Sequence, residues 1–170
     1  MSTTSLLTIK STIPHVAFIV EKNLNKNVVV YQGVLYRGEL RVDEPLDVYW
    51  MDIDPTYQAQ ARARGKTDDR EELTFMEKQM AFGVQCRDGP QVDQYYVELA
   101  ACRMRPILLY YDKMYDEIIA ELMINKKRCQ LSRIFVYINP INPIMPEYVE
   151  LHGTDCATLE SQMERIYLNF

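Results

Sequence analysis

The stretch from Val16 to Leu40 constrains the fold more than any other part of this sequence. Two apolar, β-branched runs, Val16–Val20 and Val28–Tyr31, lie on either side of the polar segment Glu21–Asn27. Two such runs joined by a polar turn are typical of a β-hairpin. Both runs are apolar at successive positions as well as at alternate ones, so both faces of the hairpin are predicted to be covered. The hairpin is therefore predicted to lie at the centre of a sheet.

The composition predicts one domain, and the lack of a signal-peptide pattern or membrane span in the sequence predicts a cytoplasmic or cytoskeletal location. The chain has 170 residues, of which 48% are hydrophobic, and this is enough for one sizeable core. The formal net charge of -5 argues against a general binder of nucleic acid or of anionic membranes, because such surfaces need an excess of Lys and Arg. The 4 cysteines and 2 histidines form no zinc pattern, and no apolar run approaches the roughly 18 residues of a membrane span. We therefore expect reduced thiols and no cofactor.

Short strands separated by turn signals make up most of the remaining chain. The segment Leu46–Met51 alternates in polarity and carries Trp50, and a second hairpin is predicted from Glu117–Ile124 and Arg128–Ile138. Strands at this spacing predict a mainly β, single-domain antiparallel β-sandwich or partly open barrel. The predicted divisions are an N-terminal arm over residues 1–13, a β-rich domain over 14–152, and a C-terminal tail or short helix over 153–170.

Two helices are predicted beside these strands. The first, a packed α-helix, runs from about Glu71 to Phe82 and stops at Gly83, because acidic residues suit the start of a helix and glycine suits its end. Helical spacing gives each helix an apolar stripe, and a stripe of this kind is predicted to face the core. The stripe residues are Leu73, Met76 and Met80 in the first helix and Leu159, Met163 and Ile166 in the short C-terminal helix.

Glu77 projects from the same side as the first stripe. A carboxylate in such a place needs a partner. A structural ion pair with Arg37, Arg41 or Arg105 is predicted in preference to a catalytic acid, because spacing ties no second carboxylate or histidine to Glu77. The alternative is a pocket around Glu77 and Trp50 in a small enzyme or ligand carrier.

No motif in the chain indicates an enzyme. The glycines are scattered singly, and there is no phosphate-binding glycine loop, no GxSxG and no HExxH. His152, Asp155 and Cys156 lie together in LHGTDC, but the members of a catalytic triad meet in space rather than within five residues. We interpret this segment as a turn capped by Thr154 and Asp155, and no catalytic residue is predicted.

Two segments are candidate partner-binding surfaces. The first is a basic run, which is either a solvated face or a contact for an acidic protein tail. The second is a strap with three prolines over residues 139–146, which is predicted to be extended and polyproline-like. Its apolar side chains either pack on the domain or contact a partner. The residues concerned are Arg62, Arg64 and Lys66 in the basic run, and Ile141, Ile144 and Met145 in the strap.

Five segments carry a resemblance to a known family: NKNVVVYQG, PLDVYWMD, EELTFMEKQMAFG, SRIFVYINP and YVELHGTD. Together they resemble the family catalogued as domain of unknown function 4833, found in bacteria and single-celled eukaryotes. The likeness covers about Phe18 to Ile166, and EELTFMEK after DVYW is its most specific part. The resemblance implies one compact β-rich domain with one helix, and it implies no established activity or cofactor. On the matching positions the recurrent polar residues would be Asn27, Glu72, Glu77 and Arg133.

Taken together, these patterns predict a non-catalytic binding or scaffolding module within a larger intracellular assembly. The support is the lack of catalytic motifs, the apolar strap, and the 12 tyrosines, which suit a broad protein interface. A cytoskeletal assembly, such as the microtubules of a cilium or flagellum, is one candidate, because Arg62, Arg64 and Lys66 could meet acidic tubulin surfaces. The small enzyme or ligand carrier is the alternative function.

Overall fold

The computed structural model describes residues 3–23, 27–52, 59–60, 62–65, 70–143 and 146–168. Helix α1 spans Thr3–Thr12, and helix α2 spans Phe75–Glu77 and continues as a π-helix over Lys78–Phe82. The strands are β1 Val16–Lys22, β2 Asn27–Gly33, β3 Leu35–Tyr36, β4 Glu39–Leu40, β5 Leu46–Asp52, β6 Arg70–Glu72, β7 Val84–Asp88, β8 Gln94–Leu99, β9 Cys102–Asp112, β10 Glu117–Ile124, β11 Lys127–Ile138, β12 Pro146–Asp155 and β13 Ser161–Tyr167. Within these ranges no helix is long and apolar enough to cross a membrane.

All of these strands except β3 and β4 form one curled sheet, and β11 is its junction. The first part of β11 pairs antiparallel with β10, and its later part pairs parallel with β1. Its other edge pairs along its whole length with β12, which in turn pairs with β13. The sheet therefore divides into one wing in the order β1-β2-β5-β6 and another in the order β10-β9-β8-β7. The prediction of a mainly β, partly open barrel is confirmed, although the sheet is mixed rather than antiparallel throughout.

The central hairpin forms as predicted from β1 and β2. Side chains such as Phe18 and Tyr31 face the main core, where their rings stack at 4.4 Å. Ile19 lies on the opposite face, beneath Leu6 and Ile9 of α1. Residues 1–13, predicted to be an arm, thus contain a helix that covers the outer face of the hairpin. Both faces are buried, which is why both strands are apolar throughout.

The first predicted helix is shorter than its sequence pattern indicates. Residues Arg70–Glu72 pair with β5 as strand β6, and the helix begins only after Thr74. This later start changes which side chains meet the core: Leu73 is 5% exposed, whereas Met76 is 65% exposed. The prediction that Met76 is buried is therefore wrong, and the side chain of Met80 lies outside the described residues. The helix does end before Gly83, whose backbone is extended. A Cβ atom at this position would lie 2.1 Å from the carbonyl oxygen of Lys78, so the close approach requires glycine.

The predicted C-terminal helix is wrong, because Ser161–Tyr167 is strand β13. This segment also alternates with a period of two, so Met163 and Ile166 fall on opposite faces of the strand. The open edge of β12 offers it a ladder of backbone hydrogen bonds, which a short isolated helix could not match.

The extended strap prediction is wrong for residues 139–142. They form a tight turn in which the Asn142 N–H donates to the Asn139 carbonyl oxygen at 3.0 Å. The Ile141 N–H donates to Asn139 Oδ1 at 2.9 Å. A side-chain acceptor of this kind stabilises a turn over an extended backbone. Pro146 already belongs to β12, so its missing N–H falls at the start of a strand, where proline is tolerated.

Candidate functional site

A row of three tyrosines crosses the outer face of the last three strands. The strand register places Tyr137 of β11 opposite Tyr148 of β12, and Tyr148 opposite Tyr167 of β13. The rings of Tyr137 and Tyr148 stack with centroids 4.8 Å apart and planes 9° apart. The rings of Tyr148 and Tyr167 lie 5.5 Å apart at 58°. We call Tyr137, Tyr148 and Tyr167 the tyrosine row.

Arg165 completes the packing around the central ring. Its guanidinium lies 4.3 Å from the centroid of Tyr148, and its Nη2 donates to Glu150 Oε2 at 2.7 Å. Hydrogen bonding to Tyr167 and Glu150 raises the pKa of Arg165. Because β12 lies between β11 and β13, Tyr148 has another tyrosine on one side and a cation on the other. The ring of Tyr148 is therefore packed between these neighbours, and the centre of the row offers ring edges, hydroxyls and charges rather than a flat stacking platform.

A chain of hydrogen-bonded polar side chains lies beside the tyrosine row on the same face. Arg133 Nη1 lies 3.4 Å from Oε2 of Glu21, which is 1% exposed. Arg133 Nη2 lies 3.4 Å from His152 Nδ1, and His152 Nε2 lies 3.2 Å from Glu150 Oε1. Glu150 also accepts from Arg165, so the chain ends at the tyrosine row. These shared contacts hold the polar side chains in one arrangement.

Burial and the neighbouring charges set the protonation of this chain. Burial raises the pKa of Glu21, while Arg133 opposes that change. Burial, followed by the charge of Arg133, lowers the pKa of His152, and Glu150 acts in the opposite direction. A neutral imidazole can accept from Arg133 at Nδ1 and donate to Glu150 at Nε2. The arrangement therefore fits a neutral His152 near pH 7.

The structure brings one of the predicted partner-binding residues next to the tyrosine row. Ile141 is 92% exposed and lies in the turn that directly follows β11, four positions after Tyr137. Arg62 and Arg64 are exposed in the segment over residues 62–65. Lys66, Ile144 and Met145 lie outside the described residues. We call the tyrosine row together with Arg165, Glu150 and Ile141 the tyrosine face.

Glu77 has partners that differ from the predicted arginine. Its Oε1 accepts from the Thr74 N–H at 2.8 Å, while its own N–H donates to the Thr74 hydroxyl at 3.2 Å, so the two residues form a capping box. Its Oε2 accepts from Trp50 Nε1 at 2.8 Å. Arg105 instead pairs with Glu164. Both carboxylate oxygens of Glu77 serve the fold, which weakens the case for a ligand pocket around Glu77 and Trp50.

The LHGTDC segment forms a turn and not a catalytic cluster. Asp155 Oδ1 accepts from the backbone N–H of Ala157 at 2.8 Å and of Thr158 at 3.4 Å. The side chain of His152 points to Arg133 and Glu150 instead. The capped-turn interpretation is supported for Asp155. In the described parts of the chain, no group of three or more His, Cys, Asp or Glu could hold a metal ion.

The tyrosine row was missed at the level of sequence, although part of its signal is present there. Tyr137 and Tyr148 lie on either side of the Asn-Pro segment, and pairing the flanking strands across that segment places them opposite each other. The sequence does not predict that Tyr167 joins this pair, because the segment that contains Tyr167 also fits the period of a helix. The three rings come together because residues 139–142 form a turn rather than an extended strap, and because Ser161–Tyr167 forms strand β13 rather than a helix.

The family described as Domain of unknown function (DUF4833) matches residues 18–165 of the chain. No curated protein matches the sequence, and no solved structure matches it. The matched range covers most of the curled sheet, from within β1 to within β13. It includes Tyr137 and Tyr148 of the tyrosine row, while Tyr167 lies two residues beyond it. The chain therefore belongs to the family of domain of unknown function DUF4833.

Proposed function

We propose that this chain is a non-catalytic protein-binding module of a larger assembly and that the tyrosine face is its contact surface. The observation that carries the proposal is the stacked pair of Tyr137 and Tyr148 beside Arg165 on an outer sheet face. Tyrosine and arginine are enriched among the residues that contribute most to binding at protein interfaces. Each presents a large contact surface and can hydrogen-bond as well. The exposed Ile141 adds an apolar anchor at one end.

The geometry favours a protein over a sugar or a nucleic-acid base as the ligand. A sugar or base stacks on an open aromatic face. Here Tyr148 has a tyrosine on one side and the guanidinium of Arg165 on the other. The row instead offers hydroxyl groups and ring edges, which can hydrogen-bond to and pack against a polypeptide. The polar chain beside the row holds Glu150 and Arg165 in place before binding, which reduces the entropy lost on association.

The test is a photo-cross-linking experiment in the native cell. A benzophenone amino acid replaces Tyr137 in one protein and Tyr36 in another. Tyr36 is a suitable control because it is 63% exposed on the separate β3–β4 hairpin. We expect the probe at position 137 to form a defined adduct with one protein and the probe at position 36 to form none with that protein. Equal labelling from both positions would contradict the proposal.

The identified protein is then purified and its affinity is measured directly. The double variant Tyr137→Ala with Ile141→Asp should weaken binding at least tenfold, because it removes an aromatic contact and places a charge in an apolar one. The control is Tyr36→Ala with Val42→Asp, which changes a tyrosine and a β-branched aliphatic residue at exposed positions elsewhere. Unchanged thermal melting of both double variants would show that the domain stays folded. An equal loss of affinity in both would remove the support for the tyrosine face.

A further inference from the structure

Strand β13 is the last strand of its edge of the sheet, and its backbone orientation can be read from two hydrogen bonds. Beyond one end, the Leu168 N–H donates to the Glu147 carbonyl oxygen at 2.9 Å, and beyond the other the Asp155 N–H donates to the Glu160 carbonyl oxygen at 2.8 Å. The pairing between β12 and β13 has no register shift. Backbone groups in an antiparallel ladder alternate between the two edges of a strand. The odd-numbered residues from Ser161 to Tyr167 therefore direct their N–H and C=O groups away from β12.

One half of this open edge is already covered. Asn125, in the turn between β10 and β11, donates from Nδ2 to the Met163 carbonyl oxygen at 2.9 Å. Its backbone N–H donates to Glu164 Oε1 at 2.6 Å, which fixes the turn against β13. No described residue forms a hydrogen bond with the backbone N–H or C=O of Arg165 or Tyr167 on this edge. Unpaired edge groups of this kind are a template for another strand.

We propose that the Arg165–Tyr167 half of β13 pairs with the same half of a second copy of this chain. The two strands are antiparallel, and the two-fold axis passes beside Ile166. In this register Arg165 of each copy lies opposite Tyr167 of the other, and each such pair exchanges two backbone hydrogen bonds. The sheet becomes continuous from β11 of one copy to β11 of the other.

The side chains favour this register over the two that move the axis toward the covered half of β13. An axis at Glu164 would place two glutamates opposite each other, and an axis at Arg165 would place two arginines opposite each other. Like charges directly opposite are destabilising, and both of these registers also need the Met163 carbonyl that Asn125 occupies. An axis at Ile166 places an arginine against a tyrosine on the outer face. This repeats the cation–π contact that Arg165 already makes with Tyr148 at 4.3 Å.

A symmetric cysteine tests the register. Opposite residues at a non-hydrogen-bonded position have Cα atoms about 4.5 Å apart, within the range for a disulfide. The exposed Cys86 is first replaced by serine. Under mild oxidation, Ile166→Cys in this background should give a covalent dimer. The matched control is Gln162→Cys, on the same face of β13 but in the half covered by Asn125, and it should stay monomeric. No dimer from Ile166→Cys, or equal dimer from both, would overturn the proposed register.

A proline substitution tests the pairing in the full-length chain without a cross-link. Tyr167→Pro removes an N–H that points away from β12, so the ladder within the chain is kept. The control Ser161→Pro makes the same change at the covered end of the strand. By light scattering, the parent protein and the control should show mass rising from 20.0 kDa toward twice that value with concentration. Tyr167→Pro should raise the dimer dissociation constant at least tenfold.

A parent chain that stays monomeric at all concentrations would refute the dimer. If Tyr167→Pro then reduced binding to the partner found with the probe at position 137, while Tyr167→Ala, which loses the same ring but keeps the N–H, did not, a partner strand would occupy this edge instead. The cross-linking test at Tyr137 does not use β13, so failure of the dimer and failure of the proposed function can be told apart.

Discussion

At the scale of single residues, polar side chains in this protein are used by several neighbours at once. Glu77 accepts from the backbone at the start of α2 and from the side chain of Trp50 on β5. His152 lies between Arg133 and Glu150. Arg133 also pairs with Glu21, and Glu150 also pairs with Arg165. Removing one member of such a group affects contacts on more than one element. The cost should therefore exceed that of one surface ion pair.

The first prediction concerns the pair of Glu77 and Trp50. Glu77→Gln keeps the shape but leaves one oxygen to serve two donors, so we expect the free energy of unfolding to fall by about 1–2 kcal/mol. Trp50→Phe removes the indole N–H, and the double variant should cost less than the sum of the two single changes. Urea unfolding of the four proteins at neutral pH measures this coupling. Strict additivity would show that the hydrogen bond between them contributes nothing.

The second prediction concerns pH. The pKa of His152 is lowered from its usual 6.5, so between pH 6.5 and the lower folded value the unfolded chain binds more protons than the folded one. Stability from this group is therefore full above pH 6.5 and is lost as the pH falls below it. Arg133, Glu150 and, further along the chain, Glu21 and Arg165 are the charges that share this network.

The measurement is the free energy of unfolding between pH 7.5 and 5. The variant His152→Gln has no titrating group at this position, so the free energy of unfolding should change less steeply with pH over this range. Glu150 does not account for the same slope: burial opposes the change, but hydrogen bonds from Arg165 and His152 hold its pKa below the usual 4.5. The stability that Glu150 contributes is lost only at lower pH. An unaltered slope in the variant would exclude His152 as the source.

At the scale of elements, the α2 region shows how a tertiary contact moves a boundary. Arg70–Glu72 pair with the edge of β5 as strand β6. The helix therefore begins later, after the N-cap residue Thr74 and its capping box. Leu73 then lies between the two elements and fills the core, while Met76 points outward. Of the two stripe residues whose side chains the structure describes, Leu73 is buried as the helical pattern predicts and Met76 is not.

A pair of substitutions tests this placement. Leu73→Ala should lower the free energy of unfolding by about 2–4 kcal/mol, because it leaves a cavity in a packed core. Met76→Asp should change it by no more than about 0.5 kcal/mol, because the side chain is largely in solvent. Thermal and urea unfolding of both variants gives the comparison. A large loss from Met76→Asp would mean that the helix presents another face to the sheet.

At the scale of the whole molecule, the chain carries a net negative charge. Binding to an acidic surface such as that of a microtubule would therefore depend on a local run of basic residues. Arg62 and Arg64 lie exposed in the segment over residues 62–65. Their use as a contact for tubulin stays a prediction from sequence. The tyrosine face is chemically different, because its cation, Arg165, is already paired with Glu150. The two surfaces should therefore respond differently to salt.

Co-sedimentation with microtubules assembled from purified tubulin tests the basic run. Retention of the parent protein should fall as salt is raised, because the Debye length shortens to about 3 Å at 1 M. Arg62→Glu with Arg64→Glu should abolish retention at low salt. Arg37→Glu with Arg41→Glu, which reverses two exposed cations elsewhere, is the matched control. Equal retention of the parent and both variants would exclude a role for these arginines on microtubules.

Much of the sheet could be predicted from local pattern, whereas the candidate site could not. The two hairpins were found because each joins two β-forming runs by a short polar turn. The parallel pairing of β1 with β11 joins residues more than a hundred positions apart, and no local pattern reports it. The tyrosine row depends on that same junction, because β11 must carry β12 and β13 on its other edge.

By itself the sequence determined which segments are apolar on one face or on two, and hence that the chain is mainly β with a core covered on both sides of β1 and β2. Only the tertiary structure decided whether Ser161–Tyr167 and Arg70–Glu72 became strand or helix, since both are short and an available sheet edge outweighs weak local propensity. It also decided the partner of Glu77. A carboxylate needs a donor, but which donor it meets depends on where the backbone brings Trp50 and Thr74.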